Sequence, residues 1–320
     1  MVPLDDTDTV AAPRAVPSSR SSPICVLVIG MAGAGKTALM HRLNLWVIEN
    51  NIRGYFVNLD PAVKSTPFGA NIDIRDTVNY KEVMAQYGLG PNGAILTSLN
   101  LFATRFDQVI GILERRADDI DYIFIDTPGQ IEAFTWSAGG TIIQELLAQS
   151  FPTTVVYVSD TVRCSSPTTF MSNMLYACSV LYKSKLPMII AFNKTDVVPS
   201  TVVEEWMDDF EAYMTALDSD GEEYMGSFNR SLNLVMDEFY SAIKRVGVSA
   251  ATGRGLETLL EKINESGVEF RESYLPDLQR RTEEQQQRDK VRQKVDLERV
   301  RRDIRDGKGD TLLIDASKKF

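Results

Sequence analysis

The sequence predicts an α/β fold in which a mainly parallel sheet is covered by helices on both faces, and two observations lead to it. Short runs of β-branched and other apolar residues alternate with stretches of helical periodicity, as in sheets that are buried on both sides. Each run also ends at a polar residue, and ligands bind at the carboxyl ends of such strands. The predicted strands, each with the residue at which it ends, are 24–29 at Gly30, 55–59 at Asp60, 122–125 at Asp126, 155–159 at Asp160, 188–192 at Asn193 and 246–248 at Ser249.

The composition excludes several classes of protein. The 320 residues include 34 basic and 44 acidic side chains, and this net charge of −10 argues against a protein that binds nucleic acid or an anionic membrane directly. The single histidine, His41, leaves too few ligands for a Cys/His zinc site and no basis for a Ser-His-Asp triad. Three cysteines, far apart in the chain, are typical of reduced thiols in a cytosolic or nuclear protein.

The chain divides into segments of different composition. Residues 1–22 are rich in Pro, Ala, Ser and Asp and predict a disordered leader without the apolar core of a signal peptide. Residues 23–270 predict the folded domain, in which residues 201–245 form a helical insertion that is acidic in its first half. Residues 271–320 predict a charged helical extension. No apolar run reaches the roughly 18 residues of a membrane-spanning helix.

A phosphate-binding loop follows the first predicted strand. Gly30-Met31-Ala32-Gly33-Ala34-Gly35-Lys36-Thr37 matches GxxxxGK[ST] and opens a helix that is predicted to run to about Asn50. The glycines let backbone N–H groups surround phosphates, Lys36 reaches the β and γ oxygens, and the Thr37 hydroxyl ligates Mg²⁺. A glycine-rich turn without a ligand would require neither the lysine nor the threonine. The residues predicted to bind phosphate are Gly33, Ala34, Gly35, Lys36, Thr37 and Ala38.

A second loop, Asp126-Thr127-Pro128-Gly129-Gln130, follows the strand that ends at residue 125. Asp126 can hold Mg²⁺ through water, the Gly129 N–H can contact a γ-phosphate, and Gln130 can orient the attacking water. Taken alone, the segment could also be a Pro-Gly turn after a buried strand. Together with the phosphate loop, it indicates the switch chemistry of a nucleotide hydrolase.

Two further segments predict that the base is guanine. Asp196 of Asn193-Lys194-Thr195-Asp196 can accept hydrogen bonds from N1–H and the 2-amino group, while the stem of Lys194 stacks along the base. Ser249-Ala250, after the last predicted strand, offers a backbone N–H to guanine O6. Each segment alone could be a surface turn. Their order on successive strand ends favours guanine, because adenine lacks the pair of donors that Asp196 would accept.

With these motifs the sequence resembles the GPN-loop GTPases, whose signature triplet is Gly90-Pro91-Asn92. The resemblance covers about residues 23–275 and is closest to the first eukaryotic paralogue of the family, the member associated with RNA polymerase II. The motifs that carry it, besides the triplet, lie at residues 58–62, 71–76, 89–94, 126–132 and 170–177. It implies a P-loop NTPase fold of the dimerising SIMIBI type, in which the loop of one subunit enters the active site of its partner. Asn92 would then contact phosphate in trans, although the triplet alone could equally be a tight turn.

The resemblance also assigns roles to further residues. Asp60 follows the second strand, where the related dimerising class has a switch carboxylate near the attacking water; an Asp-Pro turn is the alternative. Asn92, Gln130, Asp60 and Lys36 are therefore the predicted catalytic residues. Ala34 and Ala38 stand where relatives often have Ser and Thr, which predicts slightly weaker nucleotide binding at most.

The sequence and the resemblance together predict a Mg²⁺-dependent GTPase that converts GTP to GDP and phosphate. The resemblance implies a homodimer, or a heterodimer with a GPN-loop paralogue, that serves RNA polymerase II assembly and nuclear import. It also implies contacts with polymerase subunits and a cytoplasmic location with shuttling to the nucleus. An alternative is a GTP-held scaffold or assembly chaperone with little hydrolysis of its own, which would not require Asn92 or Gln130. A P-loop kinase is disfavoured because it gives no reason for a guanine-reading segment.

Overall fold

Parallel strands form the centre of the molecule in a computed structural model that describes residues 22–219, 236, 239–278, 280, 287, 288 and 298. Within these residues the strands are β1 (Ile24–Gly30), β2 (Gly54–Asn58), β3 (Ile72–Asp73), β4 (Tyr122–Asp126), β5 (Thr153–Asp160), β6 (Met188–Asn193) and β7 (Lys244–Gly247). They form one sheet in the order β3-β2-β4-β1-β5-β6-β7, and every neighbouring pair is parallel. The predicted α/β fold is confirmed.

Helices connect the strands, as parallel pairing requires. The α-helices are α1 (Lys36–Glu49), α2 (Tyr80–Tyr87), α3 (Pro91–Ala103), α4 (Phe106–Arg116), α5 (Ile131–Thr135), α6 (Ala138–Ser150), α7 (Thr161–Cys164), α8 (Pro167–Ser184), α9 (Thr201–Asp208), α10 (Phe210–Ser219) and α11 (Leu256–Glu269). Short 3₁₀ turns lie at Ile74–Asp76 and Ala117–Asp119, and a π-helical turn at Phe270–Tyr274. Asn79, Ser137 and Ser166 precede α2, α6 and α8, and their side chains accept N–H groups of the first helical turn.

The hydrophobic core lies on both faces of the sheet. Alternate strand residues pack against the apolar faces of α1 and α11, among them Val26, Phe124 and Val156. The residues between them, such as Leu27 and Ile125, are equally buried on the opposite face. Burial on both faces explains why these strands are continuous apolar runs in the sequence. It also leaves the carboxyl ends of the strands to carry polar side chains.

The six predicted strands are all present, with ends that differ by up to two residues. β7 begins two residues earlier than predicted, and β5 begins two residues earlier, at Thr153. The sequence reasoning did not find β3, because Ile72–Asp73 contains only two residues and has no apolar run. This strand is held at the edge of the sheet by parallel pairing with β2, in which Asn58 is opposite Asp73.

The first part of the predicted insertion is helical in the structure. Trp206 of α9 and Tyr213 of α10 are buried in an aromatic cluster with Phe170 of α8, with ring centroids 5.4 to 5.9 Å apart. Residues 220–235, 237 and 238 lie outside the described residues, as do residues 1–21 of the predicted leader. None of the described helices is both long enough and apolar enough to cross a membrane.

The chain separates into two units at residue 270, with Met1–Phe270 as the first and Arg271–Phe320 as the second. In the second unit, the structure describes residues 271–278, 280, 287, 288 and 298. Residues 275–278 are helical. The rest of the predicted charged helical extension lies outside the described residues, so that its helical character stays a prediction.

Candidate functional site

A glycine-rich loop joins the end of β1 to the start of α1. Gly33 and Gly35 have φ angles of +84° and +92°, a region that L side chains rarely adopt. A Cβ atom at Gly35 would also lie 2.5 Å from Nδ2 of Asn193. Ala34 is buried between these glycines, and Thr37 and Ala38 follow Lys36 in the first turn of α1. The loop therefore curls around the amino terminus of α1, where backbone N–H groups and the helix dipole favour an anion.

Lys36 points back into this loop. Its ammonium group donates hydrogen bonds to the carbonyl oxygens of Gly30 at 2.7 Å and Met31 at 3.2 Å, and the residue is only 5% exposed. Burial lowers the pKa of Lys36, and the nearby carboxylates of Asp126 and Asp60 act in the opposite direction. The phosphate loop thus encloses a cation at the place where the sequence predicts phosphate oxygens.

Thr37 and Asp126 meet beside the lysine, although they are 89 residues apart. The Thr37 hydroxyl donates to Oδ2 of Asp126 at 3.1 Å, and Asp126 is 1% exposed. Burial raises the pKa of Asp126 to about 7, and Oδ1 of this carboxylate has no hydrogen-bond partner among the residues that the structure describes. A buried carboxylate oxygen without a partner is costly unless a cation lies beside it. Hydroxyl and carboxylate oxygens are ligands that Mg²⁺ prefers, and these two residues could hold it.

Asp60 connects the loop after β2 to the loop after β4. Its Oδ2 accepts the N–H of Gly129 at 3.3 Å, and its Oδ1 accepts the N–H of Ala62 at 2.9 Å. Burial raises the pKa of Asp60, and the two backbone hydrogen bonds act against this rise. Gly129 directly precedes Gln130, so that the carboxylate of Asp60 is tied to the segment predicted to orient water.

Gln130 and Asn92 come together at the amino ends of two helices. Gln130 immediately precedes α5, and Asn92 is the second residue of α3, after Gly90 as the cap and Pro91 in the first helical position. Nε2 of Gln130 donates to Oδ1 of Asn92 at 2.6 Å, and Asn92 is exposed. This contact lies within one chain, whereas the sequence prediction assigns Asn92 to the site of a partner subunit. That role in trans stays a prediction.

The helices that carry Gln130 and Asn92 are joined to α6. Oδ1 of Asn100 in α3 accepts the N–H of Gly139 in α6 at 2.9 Å. A Cβ atom at Gly140 would lie 1.8 Å from the carbonyl oxygen of Phe134 in α5, so that no larger residue fits there. α3 and α5 are therefore held in place by direct packing against α6.

Asn193 connects the phosphate loop to the segment after β7. Its Nδ2 donates to the carbonyl oxygen of Ala34 at 2.9 Å, and its Oδ1 accepts the N–H of Ala250 at 3.0 Å. Ala250 belongs to the segment that the sequence predicts to offer a backbone N–H to guanine O6, and its own N–H is paired with Asn193 in this structure. Lys194 has a φ of +71°, and its ammonium donates to Gly33 O at 3.1 Å and to Asp160 Oδ2 at 2.6 Å. The lysine stem therefore lies over the phosphate loop.

Asp196 lies beyond Thr195, whose N–H donates to the carbonyl oxygen of Val248 at 3.2 Å. The Ser249 hydroxyl donates to Oδ1 of Asp196 at 2.6 Å, and Ser249 is fully buried. Because Ser249 is buried and therefore restricted in its motion, its hydroxyl orients the exposed carboxylate of Asp196. Asp196 is thereby presented as an exposed acceptor two residues after Lys194, whose ammonium group contacts the phosphate loop.

Several residues of the site were missed by the sequence reasoning. Arg42 of α1 donates to the carbonyl oxygens of Ala250 at 3.3 Å and of Ala251, 208 and 209 residues away. Asp160 holds Lys194, and Arg163 lies over the phosphate loop with Nη1 3.3 Å from the carbonyl oxygen of Ala32. The position of Asp160 at a strand end was the signal that could have found it. No sequence pattern marks Arg42 or Arg163, since their partners are distant in the chain.

The chain is similar to several known proteins. A family model described as "Conserved hypothetical ATP binding protein" matches residues 28–269. The protein called "GPN-loop GTPase 1" in Dictyostelium discoideum is 52% identical over 297 residues, which span 93% of this chain and 75% of that protein. The protein of the same name in Saccharomyces cerevisiae is 48% identical over 288 residues, or 87% of this chain and 75% of the relative. The crystal structure of an apo GTPase from Pyrococcus abyssi is similar with a TM-score of 0.67 and 28% identity, and covers 76% of this chain and 97% of its own.

Proposed function

The chain belongs to the GPN-loop GTPase family, and on that premise we propose that it is a Mg²⁺-dependent GTPase whose active site is completed by a second subunit. Relatives named GPN-loop GTPase 1 match most of the chain, and the expected relation to the first eukaryotic paralogue is confirmed. The enzyme class, a GTP hydrolase, is common to these relatives and to the archaeal structure. Guanine rather than adenine is the expected base, because Asp196 offers acceptors where adenine has no pair of donors.

The observation that carries the proposal is the cluster of Lys36, Thr37 and Asp126 at the amino end of α1. An enclosed ammonium group lies there beside a hydroxyl and a carboxylate oxygen for which the described part of the chain provides no hydrogen-bond partner. Thr37 and Asp126 would hold Mg²⁺, with Asp126 acting directly or through water. When bound, the metal would neutralise charge that develops on the phosphate oxygens.

The attacking water would be oriented by Gln130 and Asp60. Gln130 offers an amide at the amino end of α5, and Asp60 is bonded to the N–H of Gly129 next to it. Partial burial raises the pKa of Asp60, and its carboxylate could accept a proton from water held next to the Gly129 N–H. The Gly129 N–H would bind the γ-phosphate once it is released from Asp60.

Asn92 would act on the site of the partner subunit as a neutral amide donor. A positioned donor can stabilise transition-state charge without bringing a net charge of its own. The support for this role is the exposure of Asn92 at the tip of α3 together with the family resemblance. Dimerisation with an identical chain or a paralogue would then control hydrolysis.

The cellular role follows from the family resemblance alone. We propose that the GTP-dependent dimer serves assembly and nuclear import of RNA polymerase II, and that it acts in the cytoplasm and shuttles to the nucleus. Cells that carry only the Asn92→Ala variant should then retain polymerase subunits in the cytoplasm. Normal nuclear polymerase in cells with an inactive variant would contradict this role.

A complementation experiment between Asn92→Ala and Gln130→Ala tests whether the site is shared. If Asn92 acts in trans, a mixed dimer contains one intact site, made by Gln130 of one chain and Asn92 of the other. An equal mixture of two inactive variants should therefore recover roughly a quarter of the wild-type rate in single-turnover hydrolysis, since half of the dimers are mixed. The rate should be lost when EDTA removes Mg²⁺.

The matched control is the double variant Asn92→Ala/Gln130→Ala mixed with wild type. Action in trans predicts no intact site in these mixed dimers, whereas action within one chain predicts one. In the control, wild-type homodimers alone supply roughly a quarter of the wild-type rate, and action within one chain raises this to roughly half. A half-rate in the control without recovery in the complementation would assign Asn92 to its own chain, consistent with its 2.6 Å contact with Gln130. Tight GTP binding with negligible hydrolysis by wild type at every protein concentration would favour the scaffold function.

Arg42 is expected to contribute to guanine recognition, because it holds the segment that contains Ala250. Replacing Arg42 by Ala should weaken GDP binding by about 10-fold, which corresponds to about 1.4 kcal/mol for one lost hydrogen-bonding partner. ADP binding should be unchanged, so that discrimination between the two nucleotides falls. Isothermal titration with both nucleotides measures this, with the exposed Arg115→Ala as control. Equal losses of affinity for GDP and ADP would show that Arg42 supports phosphate binding rather than recognition of the base.

A further inference from the structure

Asn58 and Asp73 belong to two of the sequence motifs but have no role in the mechanism so far, and the structure brings them side by side. Asn58 ends β2, and Asp73 ends β3, with the two residues opposite each other in the parallel ladder. On its other side Asn58 is opposite Asp126. Asn58 is fully buried and Asp73 is 8% exposed, so that both polar side chains depend on protein partners rather than water.

The amide of Asn58 is bonded on both of its ends. Nδ2 donates to Oδ1 of Asp73 at 3.1 Å and to the carbonyl oxygen of Asp60 at 3.2 Å. Oδ1 of Asn58 accepts the N–H of Asp60 at 3.1 Å. Both backbone groups of Asp60 are thus held by one buried side chain, whose own orientation is set by Asp73.

Arg75 completes this arrangement. It binds both oxygens of Asp73, with Nε 2.9 Å from Oδ1 and Nη2 2.7 Å from Oδ2. Its Nη1 also donates to the carbonyl oxygens of Val63 and Lys64, which lie in the loop after Asp60. Burial alone would raise the pKa of Asp73, but the hydrogen bonds from Arg75 and Asn58 hold it below its ordinary value. Asp73 is therefore a charged carboxylate, and both of its oxygens accept hydrogen bonds.

The bonds continue from Asp60 to the loop that contains Gln130. The carboxylate of Asp60 accepts the Gly129 N–H at 3.3 Å, one residue before Gln130. A continuous series of contacts thus joins Arg75, Asp73, Asn58, Asp60 and Gly129. The edge strand β3 has no other polar connection of this kind to the site among the described residues.

We propose that Asn58, Asp73 and Arg75 are positioning residues that hold Asp60 in place for hydrolysis. The inference rests on the proposed function, because it requires Asp60 to act near the attacking water. Its physical basis is that a displacement of about 1 Å in a catalytic group costs roughly 100-fold in rate. Loss of the Asn58 amide would free both backbone groups of Asp60 and allow such a displacement.

A mutant cycle between Asn58→Ala and Asp60→Asn tests the proposal in the full chain. We expect Asn58→Ala to lower the single-turnover rate at saturating GTP by about 10- to 100-fold, with GTP affinity changed by less than about 3-fold. In the Asp60→Asn background the same change should have no further effect on the rate, because Asn58 acts through Asp60. A merely structural role would lower the rate in both backgrounds and weaken GTP binding in parallel.

Arg53→Ala serves as the matched control, since Arg53 precedes β2 at its opposite end and pairs with Asp121 on the surface. It should leave the rate unchanged. If Asn58→Ala does not fold, Asp73→Asn gives a second cycle, because it keeps the side-chain size and weakens the pairing with Arg75. Equal slowing of wild type and Asp60→Asn by these changes would overturn the proposal. A wild-type rate in Asp60→Asn would also overturn it, while GTP hydrolysis by the wild-type chain would still support the proposed function.

Discussion

Replacing Asp196 by Asn should convert the enzyme from a preference for guanine to a preference for xanthine. The carboxylate accepts two donors of guanine, N1–H and the 2-amino group, and an asparagine can accept only one of them while its own NH₂ opposes the other. Xanthine has a carbonyl at position 2, which the asparagine NH₂ can donate to. GTP affinity should fall by about 10³- to 10⁴-fold, and XTP affinity should rise by a comparable factor.

Competition binding with GTP and XTP measures this change directly. The Ser249 hydroxyl can donate to an asparagine oxygen as it donates to Asp196 at 2.6 Å, so that the new side chain keeps its orientation. Asp107→Asn, an exposed change in α4, is the matched control and should leave both affinities unchanged. A fall in GTP affinity without any gain for XTP would mean that Asp196 supports the loop rather than reading the base.

Replacing Lys36 by Ala should lower single-turnover GTP hydrolysis by about 10²- to 10³-fold. The ammonium group is enclosed by the phosphate loop, where a charged donor contributes more than it would in water. Its removal also takes a favourable cation away from the buried carboxylate of Asp126, which should weaken GTP binding as well.

The control for this variant is Lys183→Ala, which removes an exposed lysine from the last turn of α8. Thermal unfolding of both proteins without nucleotide separates loss of binding from loss of fold. Addition of GTP should raise the melting temperature of the control but raise that of Lys36→Ala much less. A wild-type rate in Lys36→Ala would contradict the assignment of residues 30–37 as the phosphate site.

Much of the fold could be predicted because it depends on local pattern. Strands buried on both faces appear in the sequence as short apolar runs. Polar residues of the site lie directly after these runs. The loop from Gly30 to Thr37 could be predicted for the same reason, because its glycines, lysine and threonine all lie in one short strand-loop-helix unit. β3 was missed because a two-residue edge strand is defined by its partner, β2, rather than by its own sequence.

The contacts between distant segments could not be predicted. The 2.6 Å bond between Asn92 and Gln130 depends on the packing of α3 and α5, and the bonds of Arg42 to Ala250 and Ala251 cross 208 residues or more. Sequence reasoning placed these loops at the same end of the sheet without giving their order. The strand order decides which loops are neighbours.

By itself, the sequence determined the α/β class, the phosphate loop and the identity of the polar residues at the strand ends. These features follow from hydrophobic periodicity and from motifs that span a few residues, which each segment carries alone. Only the tertiary structure decided that Asn58 lies between Asp73 and Asp126, and that Arg75 reaches the loop after Asp60. The physical reason is that a side-chain hydrogen bond requires two groups within about 3 Å, and strand order, which no local pattern encodes, brings such groups together.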